Sequence, residues 1–221
     1  MKKSTLLLIG LALALAVTPC YATVVNFANF GNLTGGTADV QMLFANLTNT
    51  YEILDKQIHF DFVNVSGAPL GTQNATLHLV ATSTTIGTLS GGSITQGGYS
   101  GSFSILRDSD HANLLSGTFT LGLLNGINNG TGVGFDASTA LSGASVVFTS
   151  DFIAFGAGGD EAISIGNSAV APFLHLNASS FLRAFTAGES GTFSADVVPE
   201  PISLLLLGSG LLGLGLLRRR K

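Results

Sequence analysis

Residues 108–111, with the sequence Asp-Ser-Asp-His, come closest to a metal-binding loop in this 221-residue chain. Carboxylates at positions i and i+2, here Asp108 and Asp110, can both direct oxygens to one calcium ion. A calcium loop that began at Asp108 would need an oxygen ligand at its fifth position, glycine at its sixth and glutamate at its twelfth. The chain has alanine, asparagine and phenylalanine there. Asp108 and Asp110 are therefore calcium candidates without the rest of the loop, and a polar turn between two strands explains them as well.

Other residue types that support catalysis do not occur in catalytic arrangements. No His-x-x-x-His or His-Glu pattern connects the four histidines, so zinc chemistry has no support, and solvent-facing strand positions account for them: His59, His78, His111 and His175. The Gly-x-Ser-x-Gly arrangement of a serine nucleophile is missing as well. The only cysteine, Cys20, lies near the N-terminus, which excludes a thiol mechanism in the rest of the chain.

Paired carboxylates for glycoside hydrolysis are available in principle, because residues 23–197 contain twelve acidic side chains. Sugar-cleaving and sugar-binding sites usually also present aromatic platforms on which sugar rings stack. The chain has no tryptophan, and only Tyr51 and Tyr99 remain outside the N-terminal segment. We therefore predict that the protein is not an enzyme, with a two-carboxylate hydrolase as the less favoured hypothesis.

Residues 23–197 carry a large excess of negative charge. Twelve carboxylates face only three cations, Lys56, Arg107 and Arg183, which gives a net charge near −9. The value of −4 for the whole chain hides this excess because the remaining cations lie at the two ends. An acidic surface repels nucleic acid phosphates, so we expect no nucleic acid partner.

Alternation of apolar and polar residues recurs along residues 23–197 and predicts half-buried strands. It occurs in eight segments, at 58–62, 76–80, 102–105, 118–121, 145–148, 162–165, 173–176 and 192–197. Glycine- and asparagine-rich breaks separate them, and the best helix candidate is Ala38–Asn46. The pattern favours a mainly β domain, an antiparallel β-sandwich of the jelly-roll type, with a β-helix as the alternative.

The N-terminal residues have the layout of a signal peptide. Met1–Lys3 is a charged region, Leu6–Val17 is apolar, and small residues stand at positions −3 and −1 of a cleavage site after Ala22. We therefore predict that residues 1–22 are removed and that the exported protein begins at Thr23.

The C-terminal residues combine three features in order. Pro199, Glu200 and Pro201 come first, sixteen uncharged residues follow at Ile202–Leu217, and the basic tail ends the sequence as Arg218, Arg219, Arg220 and Lys221. A helix over residues 202–217 would be about 24 Å long, slightly short of the ~30 Å hydrocarbon core of a bilayer. The four cations resist crossing and should remain cytoplasmic, while the two prolines keep the triplet extended and accessible outside the membrane.

This order of triplet, glycine- and leucine-rich span and basic end resembles the PEP-CTERM sorting domain of Gram-negative bacteria. The resemblance covers residues 198–221, about a tenth of the chain. It implies that a membrane-embedded exosortase recognises the segment and processes it near the triplet. The catalytic residues of that reaction would belong to the exosortase.

These observations divide the chain into a signal peptide at 1–22, a β-rich extracellular domain at 23–197 and a sorting segment at 198–221. We expect export through the inner membrane, transient anchoring by the C-terminal helix, and then a cell-surface or extracellular location. The favoured function is a non-catalytic structural or adhesive protein associated with exopolysaccharide, without a cofactor. A calcium-assisted glycan-binding module is the alternative.

Overall fold

The computed structural model of the chain describes residues 24–33, 39–63, 65, 67–156 and 158–196. Within these ranges the chain forms eleven strands and no helix. In chain order they are β1 (Val24–Asn32), β2 (Val40–Ala45), β3 (Thr48–Phe62), β4 (Gln73–Ser83), β5 (Thr88–Ser90), β6 (Ser93–Arg107), β7 (Asn113–Ile127), β8 (Val133–Ser138), β9 (Val146–Thr149), β10 (Glu161–Ala171) and β11 (Phe185–Asp196). The mainly β prediction is confirmed.

The strands close into an eight-stranded antiparallel barrel with extra strands, in the order β6-β4-β3-β1-β11-β10-β8-β7 and back to β6. The pairing of β6 with β7 completes the circle, because these two long strands are paired from Ser93↔Ile127 to Leu106↔Asn113. The prediction of a sandwich is therefore wrong, since a sandwich requires two separate sheets. The β-helix alternative is also wrong, because every strand pair in the described ranges is antiparallel.

Two positions in the barrel wall are each occupied by two successive strands. β1 pairs with β3 and β11 as far as Gly31 and Asn32, and β2 resumes pairing with the same two strands at Val40. In the same way β8 and β9 both pair with β7, separated by residues 139–145. The wall is thus interrupted twice, once between β1 and β2 and once between β8 and β9.

Aromatic residues fill the barrel at the end that contains Val24 and Asp196. The rings of Phe103 and Phe193 stack at a centroid distance of 5.2 Å, and Phe148 packs edge-on against Phe193 at 5.9 Å. Such pairs add about 1 kcal/mol each to the free energy gained from burying their area. The alternating inward residues of the strands therefore form one continuous core, as their period of two requires.

Amide side chains close the opposite end. Gln96 Nε2 donates to Asn49 Oδ1 at 2.9 Å, Asn49 Nδ2 donates to the Leu182 carbonyl at 2.9 Å, and the Leu182 amide donates to Gln96 Oε1 at 3.1 Å. This ring of bonds ties the segment between β10 and β11 across the barrel mouth. Buried polar groups cost little free energy when they are bonded to one another in this way.

The helix candidate Ala38–Asn46 is wrong, because Val40–Ala45 forms strand β2. Val40 and Met42 point inward while Gln41 and Leu43 are exposed, so the burial follows a period of two. Cleavage after Ala22 and the sorting segment 198–221 fall outside the described residues. No helix in the described part of the chain is long and apolar enough to cross a membrane.

Candidate functional site

The interruption between β1 and β2 brings four polar side chains together, and we call them the wall site: Asn32, Asp39, Lys56 and Glu189. Asn32 is the last residue of β1, and Asp39 directly precedes β2. Lys56 and Glu189 lie on β3 and β11, the strands that flank the interruption on either side. The site therefore lies within the barrel wall, at the interruption between β1 and β2.

A β-bulge turns Lys56 toward this site. The pairing of β3 with β4 shifts between Ile53 and Lys56, and Asp55 has a φ of 51°. An extra residue in a strand exchanges its inward and outward positions. Ile53 is buried before the bulge and Ile58 after it, so Lys56 takes the same phase as Ile58. The lysine is thereby directed to the side of the wall that faces the core.

Asp39 is held on both of its carboxylate oxygens. Lys56 Nζ lies 3.5 Å from Asp39 Oδ1, and Asn32 Nδ2 donates a hydrogen bond to Asp39 Oδ2. The side chain of Asp39 is 16% exposed and that of Lys56 is 35% exposed. This ion pair is therefore shielded from water on the Asp39 side more than an ordinary surface pair would be.

Glu189 occupies an inward position on β11 and is 5% exposed. Neither of its carboxylate oxygens has a hydrogen-bond partner among the described residues. Burial raises the pKa of Glu189 to about 7, the nearby charge of Asp39 adds to the increase, and the charge of Lys56 opposes it. A carboxyl group in this state takes up and releases a proton near neutral pH, which is what general acid–base chemistry requires.

The wall site thus combines an amine, a carboxylate fixed by an amide, and a buried carboxyl group with a raised pKa. It does not have the composition of a metal centre, since no group of three or more His, Cys, Asp or Glu residues that could hold a metal occurs in the described ranges. Within this site the shifted pKa is that of Glu189, and the charges of Asp39 and Lys56 act on it.

The second wall interruption contains a buried glutamate with a different environment. Glu161 Oε2 accepts a hydrogen bond from the backbone amide of Phe148 on β9 at 3.0 Å. Burial raises the pKa of Glu161, and the bond from Phe148 opposes that increase. The carboxylate therefore joins β9 to β10, which gives Glu161 a structural task that Glu189 does not have.

The calcium candidates lie in the turn between β6 and β7 and are engaged by neighbouring side chains. Arg107 donates to both oxygens of Asp110, from Nε at 2.8 Å and from Nη2 at 2.6 Å. These bonds lower the pKa of Asp110 to about 2. Asp108 Oδ1 accepts from the hydroxyl of Thr76 at 2.8 Å. The two carboxylates therefore serve different partners, and the interpretation of the segment as a polar turn accounts for both.

The histidines are spread over the molecule. His59 and His78 lie on β3 and β4, and His78 Nδ1 is 3.1 Å from Asp55 Oδ1. His111 lies in the turn after β6 with a φ of 59°. The expected strand at residues 173–176 is wrong, because His175 lies in the segment between β10 and β11, where Leu176 makes only an isolated bridge to Leu182.

Sequence reasoning did not identify the wall site. A signal was present for Glu189, because the alternation that makes Phe193 inward continues back through Gly191 to Glu189. The partners Asp39 and Lys56 could not be found this way, since they depend on the bulge in β3 and on the interruption after β1.

The sorting triplet Pro199, Glu200 and Pro201 and the basic tail lie beyond the described residues, so their assignment rests on sequence. The comparison with family models decides it. Residues 197–221 match the PEP-CTERM protein-sorting motif. The match confirms the resemblance and supports an exported protein that an exosortase sorts. No curated protein and no solved structure matches the chain.

Proposed function

We propose that this protein is exported, held briefly in the inner membrane by residues 202–217, cleaved near Pro199–Pro201 by an exosortase, and then retained at the cell surface or in the extracellular matrix. The observation that carries the proposal is the PEP-CTERM motif at residues 197–221. β11 ends at Asp196, so two residues separate it from Pro199, a span of three Cα steps. That is at most about 10 Å of extended chain.

The barrel geometry is compatible with anchoring and cleavage at one end. Val24 pairs with Asp196, so the first and last described residues lie at the same end of the barrel. A protein held by that end extends its opposite end, which the loop of Leu182 closes, away from the membrane. We propose that the C-terminus stays cytoplasmic until cleavage releases or transfers the barrel.

We further propose that the barrel is a non-catalytic structural or adhesive unit associated with exopolysaccharide, and that it works without a cofactor. Support comes from its outer surface, where small hydroxyl residues alternate with glycine and few charges interrupt them. On β10 and β11 the outward positions are Ser164, Gly166, Ser168, Ser190 and Thr192. The hydroxyl groups on this face can form many weak hydrogen bonds to a polysaccharide.

The sorting proposal is tested by intact-mass spectrometry of the protein from its native host. We expect the native species to begin at Thr23 and to lack residues 202–221. Replacing Pro199, Glu200 and Pro201 with alanine should leave a longer species in the membrane fraction. Replacing Ser203 and Ser209 with alanine is the matched control, because it changes the apolar span and keeps the triplet. A truncated product of the alanine triplet variant in unchanged yield would contradict the proposal.

The matrix proposal has a separate test. The processed protein is incubated with exopolysaccharide purified from the same host, and co-sedimentation is measured with and without a calcium chelator. We expect co-sedimentation that the chelator does not change. Loss of binding on chelation would instead support the calcium-assisted glycan-binding module, and release of reducing sugar ends would support the hydrolase.

A further inference from the structure

We propose that Lys56 and Asp39 condense into an intramolecular amide cross-link and that Glu189 carries the protons of this reaction. The reacting groups are already paired, with Lys56 Nζ 3.5 Å from Asp39 Oδ1. Attack requires Nζ to come within about 3.5 Å of the carboxyl carbon that carries Oδ1. The proposal concerns the described barrel and is independent of how the protein is sorted.

Each member of the wall site has a distinct task in this reaction. Lys56 supplies the nucleophilic amine, and Asp39 supplies the carboxyl carbon that it attacks. The amide of Asn32 donates to Asp39 Oδ2, where negative charge develops as the tetrahedral intermediate forms. Glu189 is 5% exposed and has no hydrogen-bond partner among the described residues, so its carboxyl group must move into hydrogen-bond reach of Lys56 Nζ before it can take a proton.

The reaction balances without an external reagent. The Lys56 ammonium group and the Asp39 carboxylate lose one water molecule and become a secondary amide. A bond forms between Nζ and the Asp39 carboxyl carbon, and the bond from that carbon to Oδ1 breaks. Of the three protons on Nζ, one remains on the amide nitrogen, and Glu189 passes the other two to the departing oxygen. Glu189 ends in the protonation state in which it began.

The surroundings favour condensation over a lasting ion pair. The pKa of Glu189 near 7 lets the group act first as a base toward the ammonium and then as an acid toward the leaving oxygen. Folding holds the two reactants together, and effective molarities of about 10⁵ M or more are reached for such fixed pairs. The charges of Lys56 and Asp39 are partly removed from water, and such desolvation is costly. The neutral amide of the product eliminates both charges.

The cross-link would take the place of a disulfide, which residues 23–197 cannot form. Residues 23–197 contain no cysteine, and Lys56 is the only lysine among them. The amide would join the start of β2 to the middle of β3 and close the interruption after β1 covalently. The same composition simplifies detection, because no other lysine of the exported domain can form the product.

The test is a peptide map of the exported protein, purified from its host and digested under denaturing conditions. A glutamate-specific protease cuts after Glu52, which is the only glutamate between Asp39 and Lys56. We expect the two resulting peptides to remain joined as one species, lighter by one water molecule than the sum of the two free peptide masses. Trypsin should also fail to cut after Lys56. Two separate peptides of unmodified mass would overturn the proposal.

Variants assign the roles. Lys56→Arg and Glu189→Gln should each give two separate peptides, the first because the nucleophile is lost and the second because the proton carrier is lost. Glu161→Gln is the matched control, because Glu161 is the buried glutamate of the other wall interruption, and it should retain the cross-link. A Glu189→Gln protein cross-linked to the same extent as the wild type would refute the assigned role of Glu189. The wild-type map decides the cross-link itself, even where a variant fails to fold.

Discussion

Replacing Glu189 with glutamine should remove a pH dependence from the stability of the barrel. The pKa of Glu189 is raised from an ordinary 4.5 to about 7 in the folded protein, chiefly by burial. Below about pH 4.5 the group is protonated in both folded and unfolded chains, so it does not affect the free energy of unfolding. As the pH rises toward 7, only the unfolded chain ionises, and the folded state loses stability. Above the folded pKa the loss is complete.

The size of this loss follows from the shift. A change from 4.5 to about 7 corresponds to about 3 kcal/mol if the whole shift is expressed as stability. Solvent screening reduces it, because the side chain of neighbouring Lys56 is 35% exposed. We therefore expect a loss of about 2 kcal/mol across this pH range in the wild type, and none from this position in Glu189→Gln.

The assay is urea unfolding of both proteins at about pH 4.5, 6 and 8. At each pH the free energy of unfolding of one protein is subtracted from that of the other. The quantity to compare is how this difference changes with pH. Both proteins are compared in a Lys56→Arg background, because a cross-link would remove the charges of Asp39 and Lys56 that act on the pKa of Glu189. The reasoning fails if the two proteins lose stability in parallel between the lowest and highest pH.

Three further changes test other parts of the structure. Gly191→Ala should destabilise the barrel by about 2 kcal/mol in urea unfolding, because the added Cβ overlaps the Phe30 ring and lies 2.9 Å from the Ser164 carbonyl; an unchanged midpoint would contradict this packing. Glu161→Ala should cost about 1–3 kcal/mol by leaving the Phe148 amide without its acceptor, whereas Glu161→Gln should cost less because it keeps one; equal losses would exclude the bond as the cause. A calcium chelator should leave the Tm unchanged, since Arg107 already binds the carboxylate of Asp110, and a lower Tm would reveal a cation site.

The strands could be predicted from sequence because their two faces differ. The alternating segments at 58–62, 76–80, 102–105 and 118–121 all lie in β3, β4, β6 and β7. The barrel could not be predicted in the same way. A strand with one inward and one outward face has the same pattern in a sandwich as in a barrel, and closure depends on the pairing of β6 with β7.

Bulges and interruptions limited the prediction of the candidate site. Lys56 is outward if the alternation of Tyr51 and Ile53 is continued, and only the extra residue near Asp55 reverses it. Asp39 lies at the edge of a segment for which a helix was expected. The wall site therefore depends on two irregularities of the sheet, and a regular pattern cannot indicate either of them.

A repeated Ser-Gly-Thr-Phe sequence on β7 and β11 has a physical explanation in the barrel. In both strands the glycine faces an aromatic side chain of a paired neighbour: Gly117 pairs with Phe148, and Gly191 pairs with Phe30. A Cβ on Gly117 would lie 3.0 Å from Phe148 Cδ1, so each glycine leaves room for a ring. The aromatic core at this end of the barrel therefore needs both glycines.

Of the two buried glutamates of the wall, Glu161 has a structural role and Glu189 does not. Glu161 accepts a backbone hydrogen bond that joins β9 to β10, and this bond offsets part of the free-energy cost of burying its carboxyl group. Glu189 has the same burial and no such bond among the described residues, and an apolar side chain of similar size would avoid its desolvation cost. Stability alone therefore does not explain a glutamate at this position. The charges that act on its pKa are those of Asp39 and Lys56, which form an ion pair with each other, and this is the setting in which a proton carrier has a use.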